Sequence, residues 1–302
     1  MMEAKRFACG AGRPGEGPGR EVVVHGVRLA YDDQGSGPVL LCLHAVGHGA
    51  RDFARVREHF SGQQRVIALD WPGQGRSGVD RVPASAVRYA ELLAGFVSAL
   101  RLDELVVLGN SIGGAAAIQF ASAEQERVRG LVLVDSGGLD AVDRLARFVT
   151  GRMAAFFAAG ARGARWFPWA FRRFYGVVLP RPAAREQRER IIAAAREVAP
   201  ILAEAWRSFG AEAADLRRLA AALECPVLVV WAKQDRVLQL GRSRPAIERI
   251  PNVRLELFPG GHSAFLECPE AFESSLESFL AEISGTANAK IRQRVAHPWD
   301  SV

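Results

Sequence analysis

Short continuous apolar runs recur along the chain, separated by stretches in which apolar residues follow helical spacing. The runs fall at 39–43, 66–69, 105–108 and 226–231, and the stretches 128–134 and 253–258, which include charged residues, also predict strands. Runs without polar alternation are typical of strands that are buried on both faces of a parallel sheet. Intervening stretches such as 83–100 predict amphipathic helices packed on that sheet. Two further runs, 21–24 and 27–32, flank a turn-forming His25-Gly26 pair and predict an antiparallel hairpin.

Strand and helix patterns alternate over 21–136 and again over 223–284, whereas residues 137–222 contain no strand pattern. This middle stretch predicts several helices, broken at prolines, inserted after the sixth strand. We therefore predict an α/β fold: an eight-stranded, mostly parallel sheet flanked by helices, with 137–222 forming a helical cap. Residues 1–20, rich in Gly, Pro and Arg, predict a disordered leader, and the polar, basic residues 285–302 predict a flexible tail.

Composition and charge narrow the class of protein. No run of about 18 apolar residues is present, so no membrane span is expected, and no apolar segment follows the basic N-terminus, as a secretory signal requires. The four cysteines lack metal-binding spacing, which predicts reduced thiols and a cytoplasmic location. The net charge is +6, but basic residues are mixed with acidic ones, so no nucleic-acid partner is expected. The oligomeric state is left open.

The stretch LVVLGNSIGGAAAIQF at 105–120 places a serine where a predicted strand meets a predicted helix. Gly109 and Gly113 flank Ser111, and a sharp strand-to-helix turn brings those two positions together, where larger side chains would collide. Such a turn exposes the serine hydroxyl beside a helix N-terminus, which favours negative charge. The Gly-x-Ser-x-Gly pattern arises by chance in roughly one sequence in five at this composition. Its meaning therefore depends on partners elsewhere in the chain.

Serine is a weak nucleophile, so it needs a base within hydrogen-bond reach and an acid that orients the base. Open α/β sheets place such groups in loops at the carboxyl ends of their strands. Asp235 and His262 each follow a predicted strand in the second half of the chain. The order Ser111, Asp235, His262 thus supplies nucleophile, acid and base at one edge of the sheet. Asp135, at the end of the sixth predicted strand, is an alternative acid.

These motifs resemble those of the α/β-hydrolase family over about residues 21–283. In chain order they are HAVG at 44–47, DWPGQGRS at 70–77, GNSIGG at 109–114, and the loops that carry Asp235 and His262. The resemblance implies that Ser111 is the nucleophile, His262 the general base and Asp235 its orienting acid. It also implies that the helical segment after the sixth strand is a cap over the serine.

The same resemblance places an oxyanion hole at the backbone N–H groups of Val46 and Ile112, where donors stabilise the negative oxygen of an acyl intermediate. Ala45 departs from the glycine that the family usually has after the loop histidine, His44. His44 and His48 stand four residues apart near a strand end, but no carboxylate or thiol is expected beside them, so no metal site is predicted. Triad and oxyanion donors suffice for ester hydrolysis, and no cofactor is expected.

We expect a serine hydrolase that cleaves a carboxylic ester, with a small molecule that carries an acyl or aromatic group as substrate; the acyl chain length is left open. The cap contains eleven aromatic residues, expected to pack between helices and in part to line an apolar pocket. Its arginines at 162, 165, 172 and 173 are expected to face solvent or, for one of them, a substrate carboxylate.

Two alternatives stay open. GNSIGG is similar to the motif of hydrolases that cleave carbon–carbon bonds in ring-fission products of aromatic compounds. Those relatives generally carry an aromatic residue directly after the catalytic histidine, where this chain has Ser263. The other alternative is a small-molecule receptor on the same fold, because fold alone does not determine function.

Overall fold

The computed structural model describes residues 19–295. Its strands are β1 (Arg20–Val24), β2 (Val27–Gln34), β3 (Val39–Leu43), β4 (Arg65–Leu69), β5 (Leu105–Asn110), β6 (Val128–Val134), β7 (Val227–Ala232) and β8 (Val253–Phe258). Its α-helices are α1 (Ala54–Phe60), α2 (Ala86–Ala99), α3 (Ile112–Ala123), α4 (Arg144–Ala161), α5 (Phe167–Val178), α6 (Arg185–Ala193), α7 (Ala195–Ser208), α8 (Arg217–Ala220), α9 (Leu240–Ile247), α10 (Ala264–Glu267) and α11 (Pro269–Val295).

All eight strands form one sheet, in the order β1-β2-β4-β3-β5-β6-β7-β8. The β1–β2 and β2–β4 pairs are antiparallel, and the other five pairs are parallel. Leu43 of β3 stands opposite Gly109 of β5, and Asn110 stands opposite Val134 of β6, so these three strands end at one edge. The prediction of an eight-stranded, mostly parallel sheet flanked by helices is confirmed.

The uninterrupted apolar runs are explained by helices on both faces of the sheet. In β3, Leu41 and Leu43 belong to one hydrophobic cluster, and Leu40 and Cys42 belong to the other. The first cluster includes side chains of α2 and α3, and the second includes those of α1 and α11. Because successive side chains of a strand point to opposite faces, a strand covered on both sides needs an apolar residue at every position.

Helices α4 to α8 lie between β6 and β7 in the chain. Aromatic rings pack between them: Phe157 of α4 lies 6.3 Å from Phe171 of α5 and 6.2 Å from Trp206 of α7, measured between ring centroids. Phe157 and Phe171 are fully buried. These rings belong to the same hydrophobic cluster as Leu41 and Leu43 of β3, so the helical segment packs as a continuation of the core on that face of the sheet.

At the N-terminus, Arg20 was predicted to belong to the disordered leader, which is wrong for this residue. It is the first residue of β1, and its guanidinium lies 3.0 Å from the Asp33 carboxylate of β2. Because β1 pairs with β2, the strand begins at Arg20, before the first apolar residue of the predicted run. The rest of the predicted leader, residues 1–18, lies outside the described residues.

At the other end, a flexible tail was predicted from residue 285, but α11 continues to Val295. That prediction is wrong for residues 285–295. The segment is polar, which indicated a loop, yet it contains Ala, Lys, Gln and Arg and no proline before Pro298. These residue types propagate a helix well. Residues 296–302 lie outside the described part of the chain.

Two expectations from composition can be compared with the described residues. None of the helices within 19–295 is long and apolar enough to cross a membrane. Cys42, Cys225 and Cys268 are free thiols, and Cys9 lies outside the described range.

Candidate active site

Ser111 occupies the turn between β5 and α3 with a φ of 56° and a ψ of −116°. A positive φ is strained for a residue with a Cβ, and it persists only where surrounding structure enforces it. Here the Ser111 N–H donates to the carbonyl of Val134 at 3.1 Å, and the Gly137 N–H donates to the carbonyl of Ser111 at 3.0 Å. The neighbouring strand and its loop thus hold the serine at the tip of a tight turn.

The turn needs glycine at positions 109 and 113 because backbone atoms occupy the space where a Cβ would stand. A Cβ on Gly109 would lie 2.5 Å from the carbonyl oxygen of Gly113. A Cβ on Gly113 would lie 2.8 Å from the carbonyl carbon of Leu43 and 3.0 Å from the carbonyl oxygen of His44. Backbone atoms cannot rotate aside as a side chain would. The structure therefore brings the two glycines together as the sequence predicted.

His262 and Asp235 are in direct contact. Nδ1 of His262 lies 2.8 Å from Oδ2 of Asp235, and both side chains are buried. The second carboxylate oxygen of Asp235 accepts the N–H groups of Val237 and Leu238 at 2.7 and 3.0 Å. With a proton on Nδ1 donated to the carboxylate, Nε2 of His262 carries the lone pair that a general base requires; this tautomer is assigned from the hydrogen bond.

The electrostatic environment favours proton uptake by His262. Burial alone would lower the pKa of this imidazole, but the charge of Asp235 and its hydrogen bond outweigh burial, so the pKa lies above 6.5. A carboxylate that stabilises the imidazolium is what a base needs when it takes a proton from serine.

Asp135, the alternative acid, occupies a different position. Its Oδ1 accepts the backbone N–H of Ala232 at 2.8 Å, and its Oδ2 has no hydrogen-bond partner among the described residues. Burial, reinforced by repulsion from Asp235, raises the pKa of Asp135 well above the usual range for aspartate. The protonated form of this carboxyl group is therefore favoured more than in an exposed aspartate. Within residues 19–295, the structure brings Asp235 rather than Asp135 to His262.

Ser111 and His262 line the same cavity, whose volume is about 40 Å³. No hydrogen bond joins the two side chains directly in the described structure, and such bonds often tighten only when substrate is bound. The other residues around the cavity are mainly apolar: Ala45, Val46, His48, Phe174, Tyr175, Val178, Leu202, Trp206, Phe209 and Val237. Val46 thus lies at the cavity, and Ile112 begins α3, where the first N–H groups of a helix have no intrahelical partner.

The cavity is small and contains no arginine among its described lining residues. A volume of this size holds a few water molecules at most, whereas pockets for drug-sized ligands span roughly 300–1,000 Å³. A longer substrate therefore enters only if side chains of α5 or α7 move. Of the four arginines that were considered for a substrate carboxylate, Arg172 pairs with Glu189 at 2.8 Å and Arg173 lies over the ring of Trp169.

His48 and Tyr175, two polar side chains that the sequence pattern did not assign to the site, also reach this cavity. Nδ1 of His48 lies 2.5 Å from Oδ2 of Asp52, and Oδ1 of Asp52 accepts a hydrogen bond from Arg190 of α6 at 3.0 Å. The expectation that no carboxylate adjoins His48 is therefore wrong. The signal was present in the i, i+4 spacing of His48 and Asp52, which brings two side chains together at a helix start.

Tyr175 of α5 packs beside His48, with ring centroids 5.9 Å apart. Burial raises the pKa of Tyr175, so its hydroxyl keeps its proton and remains a hydrogen-bond donor. The hydroxyl oxygen lies 3.3 Å from where a Cβ on Gly47 would stand. A helix of the segment after β6 thus delivers a neutral donor to the loop that carries Val46.

Asn110 links the serine turn to the histidine loop. Its Nδ2 donates to the carbonyl oxygens of Val134 and His262, each at 3.0 Å, and its Oδ1 accepts the Ser263 hydroxyl at 2.9 Å. All of these groups are buried. Asn110 therefore positions the backbone that carries His262, a role that its place in the GNSIGG motif did not predict.

His44 supports the loop after β3. Its Nδ1 lies 2.7 Å from the carbonyl oxygen of Ala45, and its Nε2 accepts the backbone N–H of Trp71 at 3.0 Å. Burial lowers the pKa of His44, which keeps the ring neutral with one donor and one acceptor nitrogen. Both nitrogens are therefore engaged in holding the loop, and no group of potential metal ligands is present within the described residues.

The chain is similar to known proteins over most of its length. The model of the alpha/beta hydrolase family matches residues 40–274. An uncharacterized protein from Mycobacterium tuberculosis is 28% identical over 280 residues, covering 85% of this chain and 79% of its own length. A 2-hydroxymuconate semialdehyde hydrolase from a Pseudomonas species is 29% identical over 286 residues, covering 89% of this chain and 96% of its own.

A solved structure with the same fold is that of a thermophilic esterase from Thermogutta terrifontis. It has a TM-score of 0.73 and 23% identity, and the match covers 88% of this chain and 99% of that one. The match to the family model extends from β3 to α11 and includes the serine turn and the loops of Asp235 and His262. The chain belongs to the alpha/beta hydrolase family.

Proposed function

We propose that this protein is a serine hydrolase that cleaves carboxylic esters with a short acyl group. The observation that carries the proposal is the cavity shared by Ser111 and His262, with Asp235 hydrogen-bonded behind the histidine. A strained serine, a base with a free Nε2 and a buried carboxylate are the three components that acyl transfer to a serine requires.

In the proposed reaction, Ser111 Oγ attacks the ester carbonyl while His262 Nε2 takes the hydroxyl proton. Asp235 stabilises the imidazolium that forms. The carbonyl oxygen becomes negative and accepts hydrogen bonds from the N–H groups of Ile112 and Val46, each worth about 2.7–4 kcal/mol in comparable sites. The ester C–O bond then breaks, and the alcohol leaves with the proton from His262. Water, deprotonated by the same nitrogen, hydrolyses the acyl-enzyme and restores Ser111.

The preference for a short acyl group follows from the cavity of about 40 Å³. Helices α4 to α8 act as the cap in this proposal, and the side chains of Phe174 and Trp206 limit the space above Ser111. Because His48 and Tyr175 also reach the cavity, an acyl or alcohol group that carries an oxygen finds hydrogen-bonding partners there. A cytoplasmic location remains a prediction from the free thiols.

The second candidate is a carbon–carbon bond hydrolase, supported by the relatedness to a 2-hydroxymuconate semialdehyde hydrolase. Two observations favour the ester hydrolase. The cavity contains no arginine among its described lining residues to bind an acidic substrate, and small Ser263 follows His262 where an aromatic residue would be expected. A receptor without activity is the third reading, and an intact pair of His262 and Asp235 argues against it.

Turnover of matched substrates tests the proposal. Purified protein is assayed with nitrophenyl esters from acetate to octanoate and with a vinylogous diketo acid, with Ser111→Ala as the control. We expect ester hydrolysis that decreases with acyl length and is lost in Ser111→Ala. Cleavage of the diketo acid far faster than any ester would establish the carbon–carbon hydrolase instead. Absence of turnover and of covalent labelling in folded protein would favour the receptor.

A further inference from the structure

Positive charge is concentrated in one segment of the chain. Residues 144–185 contain nine arginines and no aspartate or glutamate. The arginines are Arg144, Arg147, Arg152, Arg162, Arg165, Arg172, Arg173, Arg181 and Arg185. Over the whole chain, 39 basic residues are offset by 33 acidic ones. The net charge of the chain therefore does not reveal that one segment is purely basic. The description of the basic residues as mixed with acidic ones therefore fails for α4 and α5.

Little of this charge is neutralised by the rest of the protein. Arg172 pairs with the carboxylate of Glu189, and the guanidinium of Arg181 donates to the backbone carbonyl of Glu267. The other seven arginines have no ion pair with an acidic residue of the described structure. Arginines left in solvent at this density attract anions, and the guanidinium fork matches phosphate oxygens in particular.

The same segment exposes apolar side chains. Twelve large hydrophobic residues are exposed in the described structure, and six of them lie between residues 145 and 177. They are Leu145, Phe148, Val149, Trp166, Trp169 and Val177, with exposed fractions from 45% to 68%. Exposed apolar groups that cluster, rather than occur singly, mark interaction sites.

On α4, the exposed residues lie on one side of the helix. Leu145, Phe148 and Arg152 follow i, i+3, i+7 spacing, and all three are exposed. Phe156 continues this row one turn later, and its ring lies 5.7 Å from that of Trp166, directly before α5. The exposed row of α4 is therefore continuous with the start of α5.

On α5, two tryptophans extend the row. Trp166 is followed by Trp169 after three residues, and both are more than half exposed. The guanidinium of Arg173 lies over the Trp169 ring, 5.6 Å from its centroid. We name the surface made by Leu145, Phe148, Arg152, Trp166, Trp169 and Arg173 the arginine-aromatic face. It presents apolar rings flanked by cations, with no acidic residue among its members.

We propose that the arginine-aromatic face docks on an anionic lipid bilayer. Tryptophan and phenylalanine side chains insert at the boundary between headgroups and acyl chains, while arginines bind the lipid phosphates. A nucleic acid would also satisfy the arginines. Exposed Leu145 and Phe148 beside them favour lipid, because a polyanion in water offers no apolar phase for an aliphatic side chain. This inference does not depend on which bond the active site cleaves.

Vesicle binding by the full chain tests the proposal. Sedimentation is compared between vesicles of phosphatidylcholine alone and vesicles of equal parts phosphatidylcholine and phosphatidylglycerol. We expect binding only to the anionic vesicles, weakened by added salt. Arg152→Gln and Arg173→Gln should each reduce binding about fivefold, since one basic residue near such a surface contributes about 1 kcal/mol. Phe148→Ala with Trp169→Ala should reduce it further.

Matched control variants test whether binding depends on the arginine-aromatic face itself or on the loss of any exposed charge or apolar side chain. Arg249→Gln and Val79→Ala change exposed residues outside the segment and should bind as the unchanged protein does. All variants should keep their thermal melting temperature and their activity in solution. Equal binding to both kinds of vesicle, or unchanged binding of the Phe148 and Trp169 double variant, would overturn the proposal. So would binding to duplex DNA but not to vesicles, or a dimer that covers the face.

Discussion

Oδ2 of Asp235 lies 2.8 Å from Nδ1 of His262, whereas the nearby Asp135 accepts a hydrogen bond from the backbone N–H of Ala232. Two buried aspartates therefore stand close to one histidine with different partners. The first is oriented to hold the imidazole, and the pKa of the second is raised by burial and by the charge of the first. The different roles proposed for Asp235 and Asp135 can be tested by making the same Asp→Asn substitution at each position.

Asp235→Asn should lower kcat on nitrophenyl acetate by about 10⁴-fold, the loss that the same change causes in a serine protease triad, because the wrong tautomer of histidine is then held. Asp135→Asn should cost less than about tenfold, or 1.4 kcal/mol, because Asp135 makes no hydrogen bond to His262 in the described structure. Steady-state kinetics on both variants, with melting temperatures as the check on folding, measure the difference. A larger loss in Asp135→Asn would reverse the assignment.

The pH dependence of activity should report the environment of His262. The pKa of this residue lies above 6.5. As the pH is lowered, the base becomes protonated and kcat/KM should fall, with the midpoint of this acid limb above pH 6.5. In Asp235→Asn the attraction is lost and burial remains, so the limb of the residual activity should move to lower pH. Asp135→Asn should shift the limb less than Asp235→Asn does, because Asp135 contributes less than Asp235 to raising the pKa of His262. An unshifted limb in Asp235→Asn would show that another group titrates.

Asn110 should act through His262 rather than through substrate. Asn110→Ala leaves the carbonyls of Val134 and His262 buried without this donor, which should lower the free energy of unfolding by about 1–3 kcal/mol. The loosened histidine loop should reduce kcat with little change in KM. Ser263→Ala, which removes one hydrogen bond of the three, should have a smaller effect on both. Urea unfolding and steady-state kinetics test this; a change in KM alone would indicate a substrate contact.

Two glycines distinguish a position that needs glycine from one that does not. Gly113→Ala forces a Cβ against the backbone of Leu43 and His44 and should lower the free energy of unfolding by at least about 2 kcal/mol. Gly151→Ala, in α4 with nothing within 4 Å, should raise it by about 0.5–1 kcal/mol. Denaturant unfolding measures both. A similar change in the free energy of unfolding in both variants would mean that the backbone around Ser111 can shift to accommodate the added methyl group.

The strands and the loops of the site could be predicted because local pattern determines them. The continuous apolar run at 39–43 matches β3 residue for residue, since both faces of the sheet are covered there. Asp235 and His262 were placed in adjacent loops by strand order alone. The sequence spacing of these residues does not determine side-chain distances. It therefore could not show that Asp235 contacts His262 and that Asp135 does not take this position.

Contacts between distant segments were the part that the sequence did not reveal. Asn110 and the backbone of His262 are 152 residues apart, and Arg190 and Asp52 are 138 residues apart. The tail was mispredicted for another reason: polarity indicated a loop, whereas helix propensity continued α11 to Val295.

Covalent labelling of Ser111 tests the central claim most directly. A fluorophosphonate probe reacts with a serine only when a base activates it, and intact-protein mass followed by peptide mapping identifies the modified residue. We predict one adduct, on Ser111, that is absent from Ser111→Ala and strongly slowed in Asp235→Asn. No adduct on the folded, unchanged protein, or equal labelling of Ser111→Ala, would contradict the account.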